Sequence, residues 1–385
     1  MRCNMKIIVF GTGSYASEVT EHIGNIAYYV DNDVRKQGKF FCGKIVHAPS
    51  VLLEELEFKV IIASTYLNEI KMQLENMGFN EEEHYIDVKE AYVPSVVKDN
   101  NAPLLKVIDE YKHLQAKQLI EINKNRKQLE WLYDVEFKVY SQWGEDGIIQ
   151  YLINKIDIPV KKFIEFGVED YKESNTHFLL TNNNWEGLVI EMSEEDINKI
   201  KNDDIYWKYS LKAVNSFITK DNINQLFVDN GFDGDIGLLS VDVDGNDYWI
   251  WGAIDVIQPR IVVCEYNSVL SLDQAVTIPY VEDFYRTNAH YSNLYWGASL
   301  KAMYELAKKK GYQFVGTNSV STNAFFVRED VIGELDIADF EKYNCYSKIR
   351  ESRDEQGKLS YLDGMDRVNA IKDMPVIDVE EMKGH

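Results

Sequence analysis

Acidic side chains gather at what read as the carboxyl ends of buried strands. The run Leu238-Leu239-Ser240-Val241-Asp242-Val243-Asp244-Gly245-Asn246-Asp247 begins as an apolar strand and stops in three carboxylates, a glycine and an asparagine. Asp242 and Asp244 lie two apart, so both point to one side for as long as the strand persists. Three other apolar runs end alike: Lys162–Phe166 carries Glu165 and runs into Gly167, Gly187–Ile190 ends at Glu191, and Arg260–Cys264 ends in Glu265-Tyr266-Asn267. Carboxylate and amide oxygens can hold a hard cation, and a single carboxylate can accept from both hydroxyls of a ribose. The plain alternative is a set of polar turns whose acids cap the helices that follow.

Strands that end in ligand-binding residues imply an α/β sheet, whose crevices lie at the strands' carboxyl ends. The spacing predicts two such domains. In the first, residues 1–93, Lys6–Phe10 is followed by Gly11-Thr12-Gly13-Ser14-Tyr15-Ala16, a glycine turn that lets a pyrophosphate approach a helix amino terminus. A second strand, Ile26–Val30, ends in Asp31, where ribose hydroxyls are commonly held. Helices are expected near 50–56 and 67–77, with strands at 59–63 and 85–88. The alternative is that Gly11 and Gly13 only permit a tight turn.

Residues 94–135 read as a connector. The polar stretch 94–101 suggests a linker, and spaced apolar residues over 104–132 suggest one long helix that bridges the domains or mediates homo-oligomerisation. The second domain, 136–330, repeats strand and helix, then ends in an amphipathic helix over 299–310 stopped by Gly311 and a strand pair at 312–316 and 323–327. Residues 331–385 read as a mostly polar extension with no assigned chemistry.

Two resemblances sharpen this. The stretch Tyr28–Asp33 followed by Gly38–Val46 resembles the small nucleotide-sugar-binding domain of PglD-type sugar acetyltransferases, which implies a nucleotide-linked sugar held by Gly11, Gly13, Ser14 and Asp31. Val241–Asp247 continued by Trp251-Gly252-Ala253 looks like the signature of FkbM-type methyltransferases. Tyr140–Gly147, Phe163–Val168 with Ser174-Asn175-Thr176, and Asn323–Arg328 look like further blocks of one branch. The resemblance implies two Rossmann-like domains, the second of class I methyltransferase fold, with S-adenosyl-L-methionine as cofactor and a sugar or nucleotide-sugar as acceptor. It places the cofactor on Gln142, Glu165, Gly167, Asn175, Thr176, Glu191 and Asp242. Asp242 and Asp244 would assist transfer, and His290 is a candidate base. A divalent ion such as Mg²⁺ would sit on Asp244, Glu265 and Asn267. One departure stands out: the glycine turn continues as Val168-Glu169-Asp170-Tyr171, without a second glycine.

At 385 residues, 45% hydrophobic and 27% charged, the chain can build two ordinary cores. Its net charge of −22 argues against nucleic acid or an anionic membrane as a partner. Four cysteines show neither metal-ligand spacing nor a disulfide rhythm, and no apolar run is long enough to span a membrane. These features predict a soluble, cytoplasmic protein. Two readings from other classes remain: a non-catalytic nucleotide-sugar-binding or scaffolding protein, and an NAD-dependent sugar oxidoreductase using Gly11, Gly13 and Asp31.

Overall fold

The computed structural model describes residues 6–384 apart from 14–15, 17–25, 56–57, 65, 82 and 88–94, with backbone alone for 87, 95–106 and 383–384. The chain divides into two units, Met1–Ile108 and Asp109–His385.

The first unit is a six-stranded sheet built from β1 (Lys6–Phe10), β2 (Ile26–Val30), β3 (Phe40–Phe41), β4 (Lys44–His47), β5 (Phe58–Ile62) and β6 (Tyr85–Asp87), in the order β3-β4-β2-β1-β5-β6. All pairings are parallel except β3 with β4. That hairpin turns through Cys42 and Gly43, both at positive φ, as a two-residue connection between right-twisted strands requires. Alternate residues of the strands feed opposite faces. Ile8, Phe10, Val60 and Ile62 pack on one, and Val9, Tyr29, Ile61 and Ala63 on the other. Burial on both faces explains why these strands read as continuous apolar runs.

One helix spans Ser95–Lys124. It begins within the stretch expected to be a linker and stops eight residues short of Leu132. Pro103 lies inside that span and, with Asn100-Asn101 before it, favours a break; past it no glycine or proline interrupts the chain before Gly144, and helix prevails through Lys124. Past Lys124 the chain turns, and Leu132 begins a short 3₁₀ segment, Leu132–Val135, that joins the core of the second unit. On the helix, Ala116 and Ile120 are buried, whereas Val107, Tyr111, Leu114 and Ile122 are exposed.

The second unit is organised by β7 (Lys162–Phe166), β8 (Glu186–Glu191), β9 (Leu211–Asn215), β10 (Gly234–Val241), β11 (Ile257–Glu265), β12 (Val276–Thr277), β13 (Tyr312–Thr317), β14 (Asn323–Arg328) and β15 (Ile377–Asp378). Seven of them form one sheet in the order β13-β14-β11-β10-β7-β8-β9, in which β14 alone runs antiparallel to its neighbours. The centre is dry: Phe163, Ile164, Leu188, Leu238, Leu239, Ile261, Val262 and Phe326 are fully buried. The register sets Ser240 beside Glu165, Val241 beside Cys264 and Glu265 beside Asn323, so the polar ends of four strands finish at one level. The final helix, Leu300–Lys309, is capped by Ser299 Oγ, which accepts from the Ala302 amide, and released by Gly311 at φ +81°.

The extension is structured. β15 pairs antiparallel with β12, and the Tyr343 hydroxyl accepts a 2.6 Å hydrogen bond from the Leu132 amide. Among the described residues no helix is long and apolar enough to cross a membrane.

Candidate active site

A cavity of about 830 Å³ opens over the carboxyl ends of β7, β8, β10 and β11. Gln142, Glu165, Gly167, Asn175, Glu191, Asp242, Asp244, Glu265 and Asn267 all line it. Thr176 and His290 do not.

Gly167 makes the closest approach. It follows β7 at φ +73°, and a Cβ there would lie 2.1 Å from the carbonyl oxygen of Asp242. Only glycine fits, and the backbone is left bare toward the cavity. The turn then continues without glycine. Glu169 and Tyr171 take φ +47° and +61°, a left-handed conformation costing on the order of 1–2 kcal/mol per residue. Tyr171 offsets that cost by burial: its ring is fully enclosed and stacked on His177, with its hydroxyl 2.9 Å from Thr176 Oγ1. The departure from a second glycine is therefore a core-packed turn.

Glu165 is held by four donors. Ser174 Oγ, Thr176 Oγ1 and the Thr176 amide reach Oε2 at 2.7, 2.5 and 3.0 Å, and the Asn175 amide reaches Oε1 at 2.8 Å. Burial still raises its pKa, against the pull of those bonds. Thr176 was expected on the cofactor; fully buried, it instead fixes Glu165. Asn175 donates to Ser240 Oγ at 3.1 Å and ties the turn to β10. Glu191 accepts from the amides of Glu169 and Ser193 at 3.1 and 3.0 Å, one on each oxygen, which leaves lone pairs free on both.

Tyr140–Gly147 is mainly architectural. Asp146 Oδ2 accepts from the amides of Val139, Tyr140 and Ser141, while Glu145 bridges the amides of Trp143 and Gly144 to the side chains of Asn318 and Asn323. Gln142 and Trp143, carried on that loop, reach the cavity.

β10 ends at Val241, so the strand alternation that would align Asp242 and Asp244 does not persist. Asp244 turns to φ +51° instead. Even so, Asp242, Asp244 and Glu265 bring one oxygen each within 4.8 Å of one another. Burial, and then the neighbouring carboxylates, push Asp242 and Glu265 well above the usual carboxylate range. Glu265 Oε2 is buried with no hydrogen-bond partner among the described residues. Asp247 organises the loop by accepting from the amides of Val243 and Gly245, and burial pushes its pKa up to about 7.

The hard oxygens of Asp242, Asp244 and Glu265 fit a divalent cation, and the orphaned Glu265 oxygen is what such an ion would satisfy. Asn267 does not complete the set. Its Oδ1 accepts from the Val269 amide at 3.0 Å, and its Nδ2 donates to the carbonyls of Leu294 and Trp296. Nor is His290 placed as a base: it lies outside the cavity lining, with Nδ1 2.7 Å from Ser292 Oγ and its ring against Tyr291. Sequence reading missed the contribution of the extension, from which Ser347, Ile349, Glu351, Arg353 and Arg367 line the cavity. Arginines in a polar tail of so acidic a chain were the available signal.

In the first unit, Gly11 takes φ +116°, and a Cβ there would lie 2.4 Å from the Ala63 carbonyl oxygen. Among the described residues nothing lies within 4 Å of the corresponding position at Gly13. Asp31 accepts from Thr12 Oγ1, the Asp33 amide and Lys36 Nζ. Burial works to raise its pKa, and those three partners outweigh it and lower it. Ser14 lies outside the described residues.

Numbered within the unit, the large sheet runs 3-2-1-4-5-7-6 with strand 7 reversed, and its glycine turn and acids meet at the strands' carboxyl ends. That strand order is the class I methyltransferase fold. Residues 3–85 match the family model described as C2185-like, N-terminal. No curated protein matches the sequence. Similar solved structures include the N-terminal domain of EvdMO1 with SAH bound, at TM-score 0.34 and 9% identity over 56% of this chain and 93% of that one. An S-adenosylmethionine-dependent methyltransferase from Clostridium acetobutylicum ATCC 824 matches at TM-score 0.30 and 10% identity, over 48% and 90%. The pyocyanin biosynthetic protein PhzM matches at 0.29 and 10%, over 45% and 51%. At such scores the class rests on the strand order and the site themselves.

Proposed function

We propose that the second unit is an S-adenosylmethionine-dependent O-methyltransferase acting on a sugar hydroxyl, in surface polysaccharide or nucleotide-sugar metabolism. The observation that carries this is the bare backbone of Gly167 against the Asp242 carbonyl, in one cavity with Glu191 and the Asp242–Asp244–Glu265 cluster. When bound, the cofactor supplies an electrophilic methyl group that passes to the acceptor oxygen as its bond to sulfur breaks. Gly167 gives room for the methionine part, and Glu191, held by two amides, turns its free lone pairs to the ribose hydroxyls. Gln142 and Asn175 supply polar contacts beside them. The carboxylate cluster faces the acceptor and takes its hydroxyl proton, or holds a divalent ion such as Mg²⁺ that lowers that hydroxyl's pKa.

The first unit is read as nucleotide-sugar-binding, with Gly11 packed close and, among the described residues, nothing within 4 Å of where a Gly13 side chain would begin, where a phosphate would approach. Thermal-shift measurements with S-adenosylhomocysteine, NAD and UDP-glucose test both readings. Stabilisation by S-adenosylhomocysteine and by UDP-glucose is expected. Stabilisation by NAD alone would move the assignment to a sugar oxidoreductase.

A further inference from the structure

The positive charge in the cavity is all arginine. Arg286, Arg353 and Arg367 line it, and no lysine or histidine does among the described residues. Two of the three have partners. The Arg286 guanidinium lies 4.7 Å over the Trp296 ring, donates to the Asn293 carbonyl at 2.9 Å and sits 3.6 Å from Asp244. Arg353 donates to the Gly357 carbonyl at 3.0 Å and lies 3.8 Å from Glu351.

Arg367 is different. It is 6% exposed, and among the described residues it makes one long hydrogen bond of 3.4 Å, to the Ser347 carbonyl, and its buried Nε has no partner. A guanidinium carries five N–H donors, and leaving one unpaired in a buried place costs several times what a surface arginine costs. Burial and the nearby Arg286 push its pKa below the ordinary value, with only Glu351 opposing. Although the net charge of the chain is −22, no carboxylate among the described residues forms an ion pair with this side chain. A planar fork held open in this way matches the oxygens of a phosphoryl or carboxylate group.

We propose that Arg367, with Arg286 near it and Arg353 lining the same cavity, forms a subsite for an oxyanion, phosphoryl or carboxylate, borne by the acceptor. Naming the ligand as acceptor rests on the methyl-transfer reading; the subsite itself does not. The extension then has a task that the seven-stranded sheet cannot perform, since Arg353 and Arg367 both lie in it. A neutral sugar would leave Arg367 unpaired, so selection acts against neutral acceptors as well as for charged ones.

The test is titration of the full-length protein with glucose, glucose 1-phosphate and glucuronate at constant ionic strength, alongside S-adenosylhomocysteine. At least one charged sugar is expected to bind about tenfold or more tighter than glucose, and the tighter of the two identifies the group. Arg367→Gln removes the preference and leaves S-adenosylhomocysteine affinity unchanged. Arg353→Gln, a change at a partly exposed side chain, reduces it and serves if Arg367→Gln fails to fold. Equal or undetectable binding of all three sugars overturns the proposal, as does a preference that survives both substitutions. Loss of S-adenosylhomocysteine affinity in Arg367→Gln also overturns it, because the guanidinium then serves the cofactor's own carboxylate. A charge preference in a protein that binds no S-adenosylhomocysteine supports the subsite and contradicts methyl transfer.

Discussion

Gly167 and Asp242 touch through their backbones: any side chain at residue 167 would begin 2.1 Å from the Asp242 carbonyl oxygen. The contact joins the turn after β7 to the end of β10, the two places where the proposed function puts cofactor and acceptor.

Gly167→Ala therefore acts on both stability and binding. The clash and the positive φ together cost on the order of 1–3 kcal/mol, and S-adenosylhomocysteine affinity falls with the displaced turn. Denaturant unfolding and calorimetry on the same sample check this. An alanine variant of unchanged stability and affinity contradicts the geometry.

Asp247 makes stability depend on pH. Its carboxyl is raised to about 7 by burial, whereas in the unfolded chain it titrates near 4. Between those values the native state holds a proton that the unfolded state has lost, so this group's contribution is full below about pH 4 and fades as pH rises toward about 7. Asp247→Asn removes the titration and keeps an acceptor for one of the two amides, which bond to different carboxylate oxygens. Unfolding at pH 5 and pH 7.5 should show wild type losing about 2 kcal/mol more than the variant. Equal losses would falsify the assignment.

The acidic cluster predicts a cation response. Millimolar Mg²⁺ should raise the melting temperature of wild type, because it relieves the repulsion among Asp242, Asp244 and Glu265. Glu265→Gln should lose that rise, and Asn267→Ala should keep it, since the Asn267 side chain is occupied by backbone groups. A rise that Glu265→Gln leaves intact places the ion elsewhere.

Gly11→Ala tests the first unit separately. A Cβ 2.4 Å from the Ala63 carbonyl, at φ +116°, should lower this unit's stability by about 1–3 kcal/mol and leave S-adenosylhomocysteine binding unchanged. Calorimetric unfolding compared with ligand titration separates the two effects.

The strand ends were legible because apolar runs and their terminal acids are local signals. Glu165, Glu191, Asp242 and Glu265 announce themselves in four to eight residues of sequence. β9 was not placed, since Leu211–Asn215 is an edge strand with exposed Lys212 and Asn215 and carries no clear alternation. What a side chain does with its hydrogen bonds was hidden for another reason. Asn267 and Thr176 have suitable chemistry at suitable positions, yet their partners, Leu294, Trp296 and Glu165, lie 11 to 29 residues away. Arg367 is the extreme case, 120 residues or more beyond the β10 loop whose cavity it lines.

The most direct measurement is a calorimetric titration of the full-length protein with S-adenosylhomocysteine, repeated on Glu191→Gln. Wild type should bind one molecule per chain, and the variant about tenfold or more weakly, since a carboxylate accepting from ribose is lost. An absence of heat at every temperature tried, with no shift in melting, contradicts the methyltransferase account.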